Sequence, residues 1–414
     1  MPDDDPSVSR RRVVATAGLA AASAGAAGCT STLPPLGSRV RFGRVDAPAA
    51  DPPAYRRWIP APDALPGPAD EEYGNTISTT PGRVGQDVLG EPLRFPGNWI
   101  KRQIDHFGVG YEHYDHALHF GETVVLEGDV DPAAVEETLA ATRYRATDDY
   151  EGYALYDRGD PPRTAAVGGD AVLLAHGEDR RERLEAVVDA ERGAVPRRHE
   201  RDEAFRLCSD AVGARPFVYY QGDRAMELDS VLHATATDFD EDGVYYSYTD
   251  VYPAGDRPSE RALRESAEED RRARRADAAE LAVGDRVVTL TMHESHATFA
   301  ERRQRYGEGD VPQVTWRLDV SEDPKRLTIT HEGGDAVPGD ALLVKYDRHH
   351  PNATLPMKDA DQQFGDARVS RGDALTVDVG DIDGDETIAL YHTGEHSMSA
   401  MAITSFDELR EAGR

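Results

Sequence analysis

The chain has 414 residues, and its 77 acidic residues outnumber 47 basic ones to give a formal net charge of −30. This balance argues against a nucleic-acid partner, because nucleic-acid binding depends on basic side chains that neutralise phosphates. The chain contains only two cysteines, Cys29 and Cys208. If Cys29 is modified, no intrachain disulfide can form, and stability must come from a buried core.

The first thirty residues are built as a targeting segment. Arg10, Arg11 and Arg12 precede the uncharged stretch 13–27, which contains only Val, Leu, Ala, Gly, Ser and Thr. This stretch has the length of a signal-peptide apolar region and is too short to cross a bilayer, which takes roughly 20 apolar residues. The layout resembles a twin-arginine export signal, with Arg10 and Arg11 as the pair.

The uncharged stretch ends in Ala26, Ala27, Gly28 and Cys29, which resembles a lipobox. The resemblance implies a lipid on the Cys29 thiol and a location on the extracellular face of the cytoplasmic membrane. Two acyl chains would anchor the protein firmly, whereas a single chain would hold it only marginally. The alternative is an ordinary signal peptide that is cleaved near Ala27.

The acidic residues are spread along the whole chain, in a pattern that resembles the proteins of extreme halophiles and so implies a halophilic archaeal source. At molar salt the Debye length is roughly 3 Å, so carboxylates hardly repel one another beyond contact. Acidic clusters are therefore predicted to be solvated surface and not cation sites. Arg replaces Lys at most positions, and the four lysines are Lys101, Lys325, Lys345 and Lys358.

The composition divides the chain into four segments. Residues 1–29 form the signal peptide, and residues 30–70 hold nine prolines, which predicts an extended tether. Residues 71–305 alternate strand and helix patterns and are predicted to form an α+β domain. Residues 312–405 read as strands separated by Gly, Asp and Pro turns, which predicts a small β-sandwich.

Local signals in the α+β segment predict its elements. Asp131 and Pro132 are typical of a helix start, and residues 240–243 are typical of a hairpin turn. A charged helix is predicted from Glu260 to about Leu281. The order of elements predicts antiparallel sheets with helices on one face, and two ferredoxin-like halves are a further hypothesis. Cys208 lies at helical spacing from its apolar neighbours and is predicted to be a core residue.

The β-rich segment carries a second resemblance. Leu327 to Asp335 reads LTITHEGGD, and Gly333 and Gly334 give a tight turn that Asp335 can close through its side chain. Together with the strands 341–344 and 372–377, this segment resembles the C-terminal domain of archaeal type IV pilins, over about the last ninety residues. Pilins begin with a basic-Gly cleavage site and a long assembly helix, whereas this chain has the lipoprotein-like start.

Histidines supply the main candidate site. His113, His116 and His119, with His106 just before them, would lie near one face of a helix and could bind zinc through two or three imidazoles. The alternative is an aromatic-rich helix whose histidines are partly exposed. His293 and His296 are one residue too close for the zinc-protease motif.

Two other motifs, at residues 238–243 and at Asn352, have interpretations that need no metal ion. Asp238 to Gly243 begins like a calcium loop, but position twelve is Thr249 where an EF-hand has Glu. A hairpin turn is the preferred reading of that segment. Asn352 fits an N-glycosylation acceptor.

These observations predict a lipid-anchored cell-surface protein. They favour a non-enzymatic binding or structural envelope component over an enzyme. No catalytic residues and no cofactor are predicted, and the expected partners are the membrane, through the anchor, and surface proteins. Two alternatives stay open. One is a metal-binding lipoprotein or metal-dependent enzyme that uses the cluster from His106 to His119, and the other is an accessory pilus component.

Overall fold

The computed structural model describes the chain from residue 40 onward, with gaps. The described residues are 40–66, 75–84, 99–159, 161–177, 179–221, 229–303, 311–322, 325–347, 358–359, 367–378, 387–393, 398–405 and 409. The predicted signal segment with Arg10, Arg11 and Cys29 lies outside the described residues, as does the predicted acceptor Asn352.

A 12-stranded sheet, here called the large sheet, forms most of the fold. Its strands are β1 (Asn75–Thr79), β2 (His116–Phe120), β3 (Thr123–Glu127), β4 (Arg145–Tyr150), β5 (Tyr153–Gly159), β6 (Pro162–Val167), β7 (Ala171–His176), β8 (Phe217–Gln221), β9 (Leu232–Phe239), β10 (Gly243–Val251), β11 (Ala278–Val283) and β12 (Val287–Ser295). Their order is β11-β12-β10-β9-β8-β1-β2-β3-β7-β6-β5-β4, and neighbouring strands are antiparallel throughout. Mixed helix and antiparallel sheet make the fold α+β, as predicted.

The helices connect strands of the large sheet or pack on it. They are α1 (Pro81–Val84), α2 (Pro132–Ala140), α3 (Arg180–Arg192), α4 (Arg198–Arg201), α5 (Glu203–Val212), α6 (Glu260–Glu269) and α7 (His296–Arg303). Single 3-10 turns lie at Ala54–Trp58, Pro62–Ala64, Tyr111–His113 and Gly339–Ala341. Among the described helices, none combines the length and the apolar character that crossing a membrane requires.

Helices cover both faces of the large sheet, so the prediction of helices on one face is wrong. Val125 on β3 packs in one core with Leu184 of α3 and Phe205 of α5. The preceding residue, Val124, packs in another core with Val135 of α2. Successive side chains of a strand point to opposite faces, and β3 is buried at every position. A continuous apolar run of this kind is typical of a strand that is covered on both sides.

The two halves of the large sheet share one winding. In one half, β3 leads through α2 to the edge strand β4, and β5, β6 and β7 return strand by strand to pair with β3. In the other half, β10 leads through α6 to the edge strand β11, and β12 returns to pair with β10. The short strand β1 lies between β2 and β8 and joins the halves.

Residues 40–66 fall within the predicted tether but pack against the large sheet. Tyr55, Trp58 and Ile59 are buried in the same core as α3 and α5, and Phe42 makes a parallel bridge to Ala279 at the outer edge of β11. An extended tether is therefore wrong for these residues, because large apolar side chains anchor the proline-rich segment. Residues 30–39 and 67–70 lie outside the described part of the chain.

Several local predictions are confirmed. The Asp131 side chain accepts a hydrogen bond from Ala133 N (3.1 Å), and Pro132 is the first residue of α2. Asp240 Oδ1 accepts from the backbone N–H of Asp242 (2.9 Å) and closes the turn between β9 and β10. Cys208 is fully buried.

The helix predicted to reach about Leu281 ends at Glu269. Asp270 Oδ1 accepts from the backbone N–H groups of Arg272 (2.8 Å) and Ala273 (2.7 Å). These bonds favour a turn over continuation of the helix, and the chain then enters β11.

The remaining strands follow the large sheet. They are β13 (Val314–Glu322), β14 (Lys325–Gly334), β15 (Val337–Pro338), β16 (Leu342–Asp347), β17 (Lys358–Asp359), β18 (Arg368–Val369), β19 (Ala374–Asp378), β20 (Thr387–Thr393) and β21 (Met398–Ser405). They form a three-stranded sheet β13-β14-β19, a pair β15-β18 and a four-stranded sheet β17-β16-β20-β21. One apolar core, with Trp316, Val337 and Leu390 among its members, joins all three.

Candidate functional site

The helix that the histidine spacing predicted is not formed. His113 ends a 3-10 turn and is exposed, whereas His116 and His119 lie on the strand β2. Residues three apart on a strand point to opposite faces, so these two rings cannot share a metal ion. Within the described residues no group of three or more His, Cys, Asp or Glu side chains could hold a metal.

His119 faces the core that contains α2. Burial and the nearby Arg102 lower the pKa of His119 to about 4, and its Nδ1 has no hydrogen-bond partner among the described residues. The ring is therefore neutral at physiological pH.

His116 faces the opposite side of the sheet, where it joins Ser78 to Glu127. Its Nε2 lies 2.9 Å from Ser78 Oγ, and its Nδ1 lies 2.9 Å from Glu127 Oε2. Arg57 forms an ion pair with Glu127, and the ring of Tyr55 stacks on His116 at 5.9 Å. Burial raises the pKa of Glu127, but the hydrogen bond from His116 and the charge of Arg57 outweigh it and hold that pKa below its usual value.

Ser78, His116 and Glu127 are hydrogen-bonded in the same succession as the serine, histidine and acid of a hydrolase triad. Their surroundings, however, are not those of an active site. Ser78 is only 1 % exposed, and Tyr55 covers the imidazole. A substrate carbonyl cannot approach a hydroxyl enclosed in this way. The arrangement instead links the segment 54–58 to β1, β2 and β3.

Buried ions join the large sheet to the C-terminal strands. Arg158 on β5 has a fully buried side chain and donates to the carbonyl oxygen of Trp316 (2.9 Å) on β13. Its guanidinium also lies 3.6 Å from Asp105 and 3.7 Å from Glu332. Asp105 pairs with Arg163 at 2.5 Å. Although burial raises the pKa of Asp105, Arg163 and Arg158 lower it more, and the carboxyl stays ionised.

Gln313 adds neutral hydrogen bonds to the same contact. Its side chain donates to Asp105 O (3.0 Å) and accepts from Tyr111 N (2.9 Å). Its own backbone N–H donates to Asp335 Oδ2 (2.9 Å). The Asp335 side chain, which was predicted to close the turn at Gly333 and Gly334, therefore bonds to the residue just before β13. Gly334 has φ +102°, and a Cβ there would lie 2.1 Å from Gln313 O, so the site requires glycine.

A cavity of about 430 Å³ opens beside this contact. It is lined from the large-sheet side by Lys101 and Glu112, and from the C-terminal side by Asp335, Arg368 and His392, with Val337 at its wall. Lys101 is 5 % exposed, and its Nζ lies 3.1 Å from Glu112 Oε1. Charges of both signs therefore converge on one space, which could hold a polar ligand.

The sequence predicted none of these lining residues as a site. They come from parts of the chain that are far apart. They meet because the turn after β14 and the strands β15, β18 and β20 pack beside residues 101–112. One signal was available. Lys101 is one of four lysines in a chain that otherwise uses Arg, and it is buried.

Comparisons with known proteins place the chain in no family. No protein-family model and no curated protein matches it. Among solved structures, crystal forms I, III and IV of TP0453 overlap with it at TM-scores of 0.36, 0.35 and 0.34 and identities of 9 %, 11 % and 10 %. The overlaps cover 58 %, 58 % and 61 % of this chain and 95 %, 96 % and 96 % of TP0453. Overlap at this level carries no argument about fold or function.

Proposed function

We propose that the chain is an exported protein, lipid-anchored through Cys29 on the extracellular face of the cytoplasmic membrane, that serves a non-enzymatic binding role. The address is supported by Arg10, Arg11 and the Ala26 to Cys29 segment. The acidic, arginine-rich composition supports a halophilic setting. The observation that carries the binding role is the charged cavity between the large sheet and the C-terminal strands.

Buried contacts beside this cavity support the binding role. Arg158, Asp105 and Glu332 hold the two parts together beside it, and Gln313 bonds to both the 105–111 segment and Asp335. These contacts hold the backbone around the cavity in place, and a backbone that is ordered before binding lowers the entropic cost of binding.

The finer organisation belongs to the same proposal. We infer an α+β domain at 71–305, with residues 40–66 packed into its core. We also infer a β-sandwich at 312–405, supported by the single apolar core that the three C-terminal sheets share. The resemblance to the pilin C-terminal domain supports a surface-protein partner for this part. The common winding of the two halves of the large sheet supports related halves, for which a ferredoxin-like pattern stays a hypothesis.

The anchor is tested by replacing Cys29. We expect wild-type protein to stay with membranes after a wash that removes peripheral proteins, and to carry added lipid mass on its N-terminal peptide. The Cys29→Ser variant should retain its signal segment or be released to the medium, whereas the matched Cys208→Ser variant should fractionate as wild type. Identical fractionation of wild type and Cys29→Ser, without added mass, would show that the anchor does not exist.

A further inference from the structure

The charges that line the cavity cancel, although the chain carries a net charge of −30. Lys101 and Arg368 face it as cations, and Glu112 and Asp335 face it as anions. At high salt, charges beyond a few ångströms are screened, so the lining and not the acidic surface decides which ligand is held. A purely anionic or purely cationic ligand would meet two like charges in this space.

Two of the lining groups keep hydrogen-bonding capacity for a ligand. Arg368 donates to Ala336 O (2.6 Å), which uses one of the five N–H donors of a guanidinium. Asp335 accepts from Gln313 N through Oδ2, and an ionised carboxylate has further acceptor sites on both oxygens. Arg368 and Asp335 are both exposed at the cavity. They therefore present a planar donor fork and a carboxylate to an incoming molecule.

Lys101 and Glu112, the other two charged lining groups, are already paired with each other. Lys101 and Glu112 form an ion pair with the ammonium group held in the wall. Burial raises the pKa of Glu112, but its hydrogen bonds and Lys101 together hold that pKa below the usual value. Glu112 therefore stays charged and contributes a fixed anion beside the Lys101 cation.

From this lining we propose that the cavity binds a small zwitterion that carries a carboxylate and an ammonium group, the class of amino acids and short peptides. The inference rests on the proposed binding role and names its ligand class. The guanidinium of Arg368 matches a carboxylate in two-pronged geometry, and Asp335 and Glu112 suit the ammonium group. A volume of about 430 Å³ is at the small end of ligand sites, which run from roughly 300 to 1,000 Å³.

The test is calorimetric titration of the full chain at high salt with glycine, alanine, glutamate and the dipeptide alanyl-alanine. We expect at least one zwitterion to bind. For each zwitterion that binds, its N-acetyl and its amide derivative, which each lack one charge, should bind at least tenfold more weakly. Arg368→Gln should weaken binding at least tenfold, whereas Arg326→Gln removes an exposed arginine away from the cavity and should leave it unchanged.

Folding and class are separated by further measurements. Arg368→Lys keeps the charge without the fork and should recover part of the affinity, and melting curves should show each variant folded. No binding by any of the zwitterions, or binding that Arg368→Gln leaves intact, would overturn the inference. Equal binding of the N-acetyl derivative would overturn the zwitterion class. The anchor is decided independently by the fractionation of Cys29→Ser, so failure of the ligand class and failure of the address are distinguishable.

Discussion

Two groups of charged side chains meet where the large sheet contacts the C-terminal strands, and they differ in what covers them. The side chains of Arg158, Asp105 and Glu332 are exposed by only 0 %, 3 % and 6 %. Arg368 and Asp335 stand open at the cavity a short distance away. An enclosed charge must be neutralised by protein partners, whereas an open charge can serve a ligand. Loss of the first kind should reduce stability, and loss of the second kind should reduce binding.

The largest expected effect is on the enclosed group. Arg158→Ala removes the cation that lies between Asp105 and Glu332 and the hydrogen bond to Trp316 O. The two carboxylates keep Arg163 and Arg317 as cationic partners, but removing one partner of a buried ion pair costs about 3–5 kcal/mol. We expect a fall of that size in the free energy of unfolding, measured by chemical denaturation at constant salt. The control Arg326→Ala should change it by less than about 0.5 kcal/mol. A similarly small change for Arg158→Ala would mean that the enclosed ions do not hold the two parts together.

The enclosed His119 should make stability depend on pH. Its folded-state pKa of about 4 lies below the usual value of roughly 6.5 in an unfolded chain. Between these two pH values His119 is protonated in the unfolded state and neutral in the folded state. The free energy of unfolding should therefore fall as pH drops from about 6.5 to about 4, by up to about 3 kcal/mol from this residue. We measure the free energy of unfolding by chemical denaturation at several pH values in this window. Plotted against pH, it should change less steeply for His119→Gln than for wild type. Equal slopes would indicate that His119 is protonated in the folded protein.

The smallest stability effect is expected at His116. His116→Ala removes the hydrogen bonds to Ser78 and Glu127 and the stacked contact with Tyr55, at a cost of about 2 kcal/mol. The matched control is His113→Ala, an exposed neighbour whose loss should cost less than about 0.5 kcal/mol. Zwitterion binding should be the same in both variants. A change in ligand affinity in His116→Ala alone would contradict the separation of enclosed and open groups.

Local chemistry explains which parts of the fold could be predicted. The Asp131 cap, the turn at Asp240 and the core position of Cys208 depend on neighbours within a few residues, and the structure confirms all three. The end of α6 at Glu269 was missed because the capping role of Asp270 competes with a charge pattern that favours helix.

Long-range pairing explains the failures. The histidine spacing fits a helix, but β2 pairs with β1 and β3 and becomes a strand, as tertiary context overrides a short local pattern. The contact of Arg158 with Asp105 and Glu332 depends on three separate segments. Charged residues are so frequent in this chain that no sequence pattern marks these three among them. For the cavity beside them, the one signal in the sequence is the rare lysine Lys101.

The position of β1 constrains how the chain can fold. This five-residue strand lies in the middle of the large sheet, where it pairs with β2 on one side and with β8 on the other. Until it is in place, β2 and β8 each present an unpaired edge, which is a template for pairing with another chain. Its pairing with β8 spans a long stretch of sequence, and such contacts form slowly. A chain that begins after residue 79 should therefore expose the inner edges of β2 and β8 to pairing with other chains. β1, the earliest strand in the described part of the chain, should be among the last to be enclosed.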